Sequence, residues 1–300
     1  MIDCINLTKQ YDGLTAVDAV TFSVKEGELF GLIGPDGAGK STIFRMLTTL
    51  VLPDGGAATV QGFDIVADYK KIRHQVGYMP AKFSLYQDLT VQENLDFFAT
   101  IFNTTTEENY DLIHDIYIQI APFKSRRAGD LSGGMKQKLA LCCALIHQPK
   151  VLFLDEPTTG VDAVSRQEFW QMLQRLKAQG MTILVSTPYM DEANLCERIA
   201  LMQSGKMMSI DTPDGIVSQY QGDLFAVQSN AMSRLLRDLR AYENVKNCFA
   251  FGDFHHFNFS NIGEAQVPLL LNYLNGLGHE ALICKKIRPT IEDCFIQLMQ

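Results

Sequence analysis

The most constraining feature of this sequence is a glycine-rich segment that follows a short apolar run. The segment reads GPDGAGKS and fits the pattern G-x-x-x-x-G-K-[S/T]. Its members are Gly34, Pro35, Asp36, Gly37, Ala38, Gly39, Lys40 and Ser41. The run ELFGLI at 28–33 predicts a buried strand before it, and the apolar spacing at 43–50 predicts a helix after it. A strand, a tight turn and a helix in this order predict a phosphate-binding loop within an α/β fold.

The residue types of this loop indicate what it binds. Glycine lets the backbone turn its N–H groups toward phosphate oxygens, and the following helix N-terminus adds partial positive charge. We expect Lys40 to reach the β- and γ-phosphates of ATP, Ser41 to bind Mg²⁺, and Thr42 to contact the nucleotide. The alternative is a glycine-rich turn without a ligand, and the flanking strand and helix disfavour it.

A second pattern places two carboxylates at the end of a predicted strand. The apolar run VLFL at 151–154 is followed directly by Asp155 and Glu156. Such a strand would bring Asp155 to the metal, and Glu156 could then polarise an attacking water as general base. Adjacent carboxylates also occur at solvated strand ends. The pair is therefore interpreted together with the phosphate-binding loop and not alone.

A third pattern, LSGGMKQK, begins at Leu131 and predicts the start of a helix. Ser132, Gly133 and Gly134 supply a hydroxyl and a helix N-terminus that a phosphate can approach closely. Alone, this would be only an N-cap and a turn. Between the phosphate-binding loop and LDEP, the pattern resembles the signature motif LSGGQ of ABC ATPases, with Met135 in the last place.

The resemblance covers residues 1 to about 220 and implies a P-loop (RecA-like) α/β core with an inserted helical subdomain at about 89–149. It implies head-to-tail dimers in which ATP lies between the P-loop of one subunit and the signature of the other. Tyr11 matches the aromatic residue that stacks on adenine, although a half-buried surface tyrosine is the alternative. Residues 160–162 match the D-loop, and residues 79–86 match the loop that receives a coupling helix of the membrane subunit.

Two positions depart from the family pattern. Ala81 stands where the family has the Q-loop glutamine, and Pro188 stands where it has the switch histidine. Alanine has no polar side-chain group and proline lacks even a backbone N–H. We therefore expect slowed hydrolysis at the chain's own P-loop while its signature completes a partner's site. This favours a heterodimer with a second ABC ATPase subunit; a homodimer, or a regulatory or scaffold subunit with little turnover, is the alternative.

Composition and the remaining motifs indicate the partners and the cellular location that we expect for this chain. The chain has 26 Lys and Arg against 34 Asp and Glu, and no basic stripe, which disfavours nucleic-acid binding. No apolar run approaches the ~20 residues that span a bilayer. LYQDLTVQENL, LSGGMKQK and TPYMDEA resemble the drug-efflux branch, whose permeases are separate chains. We expect a cytoplasmic subunit, peripheral on the inner face of the cell membrane through its permeases, that powers export of a small molecule.

The last eighty residues read differently from the rest. Their pattern predicts β-α-β-β-α-β with one more helix, which suits a small ferredoxin-like α+β domain at 221–300 behind an ATPase domain at 1–220. One strand is expected near 281–285 and a final helix from Pro289. The ending RPTIEDCF resembles the C-terminal extension of daunorubicin-resistance ATPases.

Overall fold

The computed structural model describes residues 1–260 and 264–299, which form two compact units, Met1–Ile216 and Val217–Gln300. The predicted boundary between residues 220 and 221 falls four residues later than this division. Within the described part of the chain, no helix is both long and apolar enough to cross a bilayer.

The first unit contains two sheets. An antiparallel sheet has the order β2-β1-β4-β5, and a six-stranded sheet has the order β10-β9-β3-β8-β7-β6. The pairs β9/β3, β3/β8, β8/β7 and β7/β6 are parallel, and β10 pairs antiparallel with β9. The strands are β1 (Ile2–Tyr11), β2 (Leu14–Val24), β3 (Leu29–Ile33), β4 (Gly55–Val60), β5 (Phe63–Asp64), β6 (Val76–Met79), β7 (Val151–Asp155), β8 (Thr182–Thr187), β9 (Arg198–Gln203) and β10 (Lys206–Asp211).

Helices connect these strands, and three of them form the segment between β6 and β7 that was predicted as a helical insertion. The helices are α1 (Lys40–Leu47), α2 (Tyr69–Gln75), α3 (Val91–Ile101), α4 (Tyr110–Tyr117), α5 (Gly133–Leu145), α6 (Ala163–Ala178) and α7 (Pro213–Ser218). The helix predicted at 43–50 instead begins at Lys40, directly after Gly39, and ends at Leu47. It ends there because Thr49 adopts a left-handed φ of 64°, which no helix continues through.

The order of the central strands places the predicted site. Every residue of β3, β7 and β8 is buried, as expected for parallel strands that are covered on both faces. Because β8 lies between β3 and β7, the carboxyl ends of the three strands meet at one sheet edge. That edge carries the P-loop after β3, Asp155 and Glu156 at the end of β7, and Pro188 after β8.

The second unit is an α+β domain. Its elements are β11 (Leu224–Gln228), α8 (Met232–Ala241), β12 (Val245–Phe251), β13 (Phe254–Phe259), α9 (Val267–Gly276), β14 (Ile283–Ile287) and α10 (Ile291–Leu298). The sheet order is β12-β13-β11-β14 with antiparallel pairs, the arrangement of a ferredoxin-like fold. The strand predicted at 281–285 begins two residues later, because Ala281 has a left-handed φ of 51°.

Candidate nucleotide-binding site

Lys40 is the centre of the site. Its side chain is only 2% exposed, and Nζ donates to Gly34 O at 2.7 Å and to Pro35 O at 3.0 Å. Nζ also lies 3.1 Å from Oε1 of Glu156, the residue that follows β7. The lysine thus joins the P-loop to the predicted general base. Because the Lys40 side chain is buried, contacts with protein atoms and not with solvent determine where its Nζ lies.

Two glycines of the loop are required by close approach of other strands. A Cβ at Gly34 would lie 2.2 Å from Met202 O, and one at Gly39 would lie 2.3 Å from Ala16 O. Gly39 also has a φ of 104°, which disfavours any side chain. The loop can therefore pass tightly between β9 and β2 only with glycine at both positions.

A cavity of about 400 Å³ opens beside this loop. Its lining residues are Leu14, Thr15, Ala16, Gly37, Ala38, Gly39, Lys40, Ser41, Thr42, Glu156, Ser204 and Gly205. Among the described residues, the backbone N–H groups of Gly37, Gly39, Lys40 and Ser41 find no hydrogen-bond acceptor. Unpaired N–H groups around a buried lysine at a helix N-terminus form an arrangement that binds phosphate.

The carboxylates of Asp155, the last residue of β7, and of Glu156, which follows it, have different environments. Asp155 is 2% exposed, and its Oδ1 accepts a hydrogen bond of 2.7 Å from Ser186 Oγ. Glu156 reaches Lys40 and lines the cavity. Burial and the negative charge of Asp155 raise the pKa of Tyr78 to about 12, while Arg45 acts in the opposite direction. Tyr78 is therefore a neutral neighbour of the carboxylate and not a base.

Oxygen ligands for a divalent cation are present at this edge. The Ser41 hydroxyl lies at the start of α1 in the cavity wall, and Asp155 supplies a carboxylate at the end of β7. The described residues contain no cluster of three or more His, Cys, Asp or Glu side chains that could enclose a metal. Two oxygen ligands fit Mg²⁺, which is commonly held by one or two carboxylates together with nucleotide phosphates.

A buried carboxylate connects the segments that follow β7 and β8. Glu192 is 2% exposed, and it accepts hydrogen bonds from Thr158 Oγ1 at 2.8 Å and from Thr187 Oγ1. Its charge is met by Arg166 Nε at 3.5 Å, on the helix that Asp162 caps. Sequence patterns did not identify this network, because Thr158 lies 34 residues before Glu192 along the chain.

The signature residues lie outside this cavity. Ser132 caps α5 by accepting a hydrogen bond of 3.3 Å from Met135 N, and Ser132 and Gly133 are exposed. A Cβ at Gly133 would lie 3.7 Å from Gly160 O, whereas one at Gly134 would lie 2.6 Å from Ser165 Oγ. The N-terminus of α5 is thus exposed and lies outside the lining of the chain's own P-loop cavity. A phosphate group that is bound elsewhere could approach it.

Several predicted residues are not in the cavity wall. Tyr11 is 39% exposed with Lys9 Nζ 5.4 Å from its ring centroid, and it does not line the cavity, so its stacking on adenine stays a prediction. Pro35 contributes its carbonyl to Lys40, while Asp36 is exposed and lies outside the lining. The lining residues from β2 and from the turn at 204–205 were not predicted from sequence. They carry no motif, and only sheet pairing brings them to the loop.

The structure locates the two departures from the family pattern. Ala81 is exposed in the loop after β6, and Pro188 is half-buried directly after β8. The cavity lining contains neither a histidine nor a glutamine among the described residues. No other side chain of those two types therefore replaces the missing donors there.

Comparisons with known proteins decide the family. A family model described as ABC transporter matches residues 17–159. The Nod factor export ATP-binding protein I of Rhizobium sp. (strain N33) is 38% identical over 302 residues, which cover 99% of this chain and 96% of that protein. The chain belongs to the ABC transporter ATP-binding proteins.

Other members of this family are similar over part of their length. The probable multidrug ABC transporter ATP-binding protein YbhF of Escherichia coli (strain K12) is 42% identical over 74% of this chain, which spans only 39% of YbhF. The linearmycin resistance ATP-binding protein LnrL of Bacillus subtilis (strain 168) is 36% identical over 74% of this chain and 73% of LnrL.

Solved ABC structures confirm the predicted α/β fold. An ATP-binding subunit of an ABC transporter superposes with a TM-score of 0.67 at 28% identity, over 73% of this chain and 92% of that one. The dimeric cassette MJ0796 in a post-hydrolysis state, bound to ADP and Pi, gives a TM-score of 0.64 at 26% identity over 71% of this chain and 98% of its own. ATP hydrolysis is the activity characteristic of this family.

This ABC ATP-binding protein has a second cavity, of about 310 Å³, which we call the helical groove. It is lined by Thr48, Leu50, Arg73, Val76, Tyr78, Met79, Pro80, Phe83, Ser84, Leu85, Phe98, Phe102, Gln137, Ala140, Cys143, Ala144 and His147. His147 stacks on Phe102 with ring centroids 3.7 Å apart, and burial lowers its pKa to about 4. Four hydrogen bonds between the buried Asn94 side chain and the backbone of residues 86, 89 and 90 hold the loop that forms one wall.

Proposed function

We propose that this chain is the ATP-binding motor subunit of an export transporter, which binds and hydrolyses MgATP and acts through separate permease subunits. The observation that carries the proposal is the meeting of three elements at one sheet edge. The P-loop with Lys40, the carboxylates Asp155 and Glu156, and unpaired backbone N–H groups all lie there. They supply phosphate binding, metal ligation and a base for water.

Mg²⁺ belongs to this proposal as a second cofactor. Ser41 and Asp155 would hold it, and the bound ion would neutralise charge on the β- and γ-phosphates. Lys40 would bind the same phosphates, and Glu156 would orient water. The Glu156 carboxylate lies 3.1 Å from Nζ of Lys40, the residue expected to bind those phosphates.

The proposed cargo class rests on relatives with related names. YbhF is named as a probable multidrug transporter protein, LnrL as a linearmycin resistance protein, and the Rhizobium protein as a Nod factor exporter. The three names describe multidrug transport, resistance to linearmycin and export of Nod factor. We propose a small-molecule cargo for this chain on that basis.

The helical groove is the site that we propose for the permease. It is mostly apolar, with aromatic side chains from 83, 98 and 102, and its wall includes residues directly around Ala81. His147 Nδ1 is buried there without a hydrogen-bond partner among the described residues. An amphipathic coupling helix has both the apolar face and the polar groups that this groove accepts. Such docking would hold the subunit on the inner face of the cell membrane.

A heterodimer is our preferred assembly. The MJ0796 structure shows that ABC cassettes form dimers, and the exposed signature here can face another subunit's P-loop. The chain's own P-loop side lacks the glutamine and histidine donors, while Ser132, Gly133 and Gly134 are present. Since the P-loop side lacks donors and the signature is present, we expect this chain to pair with a second ABC ATPase whose P-loop side retains the glutamine and the histidine. In a homodimer both sites would be slow.

Hydrolysis by the chain itself tests the proposal. We expect Glu156→Gln to abolish the single-turnover hydrolysis of MgATP while leaving nucleotide affinity unchanged or higher. Glutamine keeps the shape but lacks the basicity, and it removes a negative charge next to Lys40 and the phosphates. The measurements are quenched-flow hydrolysis, calorimetric affinity and size-exclusion chromatography, where ATP should retain the variant as a dimer.

Glu28→Gln is the matched control for this test. Glu28 is buried and, like Glu156, it forms an ion pair, with Arg198 at 3.1 Å, but it does not line the nucleotide cavity. We expect this control to lose some thermal stability and to hydrolyse ATP at the parental rate. Parental hydrolysis by Glu156→Gln would show that another group is the base.

The missing donors give a second test. We expect Ala81→Gln combined with Pro188→His to raise the single-turnover rate by about tenfold or more, since one positioned donor contributes roughly 10²–10³ in other enzymes. Ala81→Leu with Pro188→Ala alters the same positions without adding donors and serves as control. Equal rates for the two double variants would contradict the explanation that missing donors slow this site.

A regulatory or scaffold subunit is the second candidate function. Ala81 and Pro188 favour it, because ATP could close the dimer without turnover at this site. Glu156, which lines the cavity and contacts Lys40, favours the motor subunit instead. ATP-dependent dimer formation without detectable single-turnover hydrolysis would select the scaffold function.

A further inference from the structure

The end of β8 contains a buried hydroxyl that contacts the carboxylate of Asp155 and the backbone N–H of Glu156. Ser186 is completely buried. Its Oγ donates to Asp155 Oδ1 at 2.7 Å and accepts the backbone N–H of Glu156 at 2.9 Å. The Ser186 carbonyl accepts the same N–H at 3.1 Å. One residue thus holds the side chain of Asp155 and the backbone of its neighbour.

The backbone at Glu156 needs such support. Its φ is 49°, in the left-handed region that residues other than glycine seldom adopt. A conformation of this kind persists where surrounding contacts over-determine it, and it is common at active sites. The two hydrogen bonds that the Glu156 N–H donates to Ser186 Oγ and Ser186 O are contacts of this type.

The left-handed turn determines where each carboxylate lies. Asp155 stays within β7 with its Oδ1 on Ser186, whereas Glu156 leaves the strand and brings Oε1 to 3.1 Å from Lys40 Nζ. The single hydrogen bond to the Asp155 carboxylate that the described residues supply falls on Oδ1. When one oxygen of a carboxylate is already held by a hydrogen bond, the side chain loses little further conformational freedom as the other oxygen binds a cation.

We propose that Ser186 is a positioning residue that orients Asp155 for the metal and Glu156 for water. The inference rests on the proposed function, since it assigns to Ser186 an effect on MgATP binding and hydrolysis. A merely structural serine would affect stability but not the dependence on Mg²⁺. That difference makes the two roles separable.

The experiment compares Ser186→Ala with Thr182→Val. Thr182 is the matched control because it lies on the same strand, is 1% exposed, and its Oγ1 accepts the Gly27 N–H at 2.9 Å. Binding of a fluorescent ATP analogue is titrated with Mg²⁺ and repeated in EDTA, and melting temperatures are recorded. Loss of a residue that orients a metal ligand commonly costs about 10–100-fold in metal affinity.

We expect Ser186→Ala to need about tenfold or more Mg²⁺ for half-maximal analogue binding, with unchanged affinity in EDTA. Its single-turnover rate at saturating Mg²⁺ should also fall, because Glu156 loses one of its two backbone contacts. Thr182→Val should lower the melting temperature comparably without changing either quantity. Ser186→Thr, which keeps the hydroxyl, should restore the parental Mg²⁺ dependence even where the added methyl group lowers stability.

The possible outcomes separate this role from the proposed function. A parental Mg²⁺ curve and rate in Ser186→Ala, or an equal shift in Thr182→Val, would overturn the positioning role and leave the proposed function intact. Absence of MgATP binding by the parental chain would instead overturn the proposed function and this role with it. If Ser186→Ala does not fold, Ser186→Cys keeps the shape with a weak donor and should show the same shift.

Discussion

Lys40→Ala is expected to weaken MgATP binding by about 10–100-fold, which corresponds to the loss of hydrogen bonds to a charged group. Turnover should fall further, by roughly 10²–10³, because the lysine also stabilises charge that develops during phosphoryl transfer. The reason is visible in the structure. Lys40 is a cation in the cavity wall, it is 2% exposed, and its Nζ donates to Gly34 O and Pro35 O. Calorimetry with MgATP and steady-state ATPase assays measure the two effects.

The control for Lys40→Ala must separate the loss of the positive charge from a loss of the loop structure. Lys40→Met keeps most of the side-chain length without the charge, and it should match the alanine variant if charge is the cause. Lys177→Ala removes a lysine paired with Glu197 at 2.8 Å, away from the cavity, and should behave like the parent. Unchanged affinity together with unchanged activity in Lys40→Ala would remove the basis for this nucleotide site.

Gly133→Asp is expected to reduce the ATPase activity of the assembled transporter by about two orders of magnitude, as when one positioned donor is lost. The structure allows this substitution to act on the partner's site rather than on folding. A Cβ at Gly133 meets only Gly160 O at 3.7 Å, whereas the same change at Gly134 would collide with Ser165. The new carboxylate would place negative charge where the signature is proposed to meet a γ-phosphate.

The test reconstitutes the subunit with its permease and a candidate partner ATPase. Gly133→Asn is the matched control, since it has the same shape without the charge, and it should retain much more activity. In a heterodimer, Gly133→Asp should lower the steady-state rate more than Glu156→Gln does. If Glu156→Gln abolishes turnover and Gly133→Asp leaves it intact, the proposed division of labour between two unequal subunits is wrong.

Much of the candidate nucleotide-binding site could be predicted from sequence, because its residues lie in short segments of adjacent residues. The P-loop and the Asp155–Glu156 pair each lie at one strand end, and a run of apolar residues identifies that strand. Element ends were less accurate. The start of α1 at Lys40 and the start of β14 at Ile283 depend on single backbone angles at neighbouring residues, which residue type does not specify.

Contacts between distant strands could not be predicted in this way. The requirement for glycine at 34 comes from the Met202 carbonyl on β9, and that at 39 from the Ala16 carbonyl on β2. Glu192 joins Thr158 to Thr187, and the sequence offers no spacing that would connect them. Carbonyl groups are common to every residue, so a pattern of side chains cannot indicate which of them will approach a loop.

The sequence by itself determined the family and the α/β class, and it predicted residues for phosphate, metal and water, because each depends on a local pattern whose side chains have distinct chemistry. It also determined that Ala81 and Pro188 lack donors. Only the tertiary structure decided how Asp155 and Glu156 diverge. That geometry depends on the left-handed φ of Glu156 and on Ser186, thirty residues away on the adjacent strand. The physical reason is that hydrogen bonds from a neighbouring strand, and not the identity of the residue, stabilise a single unusual backbone conformation.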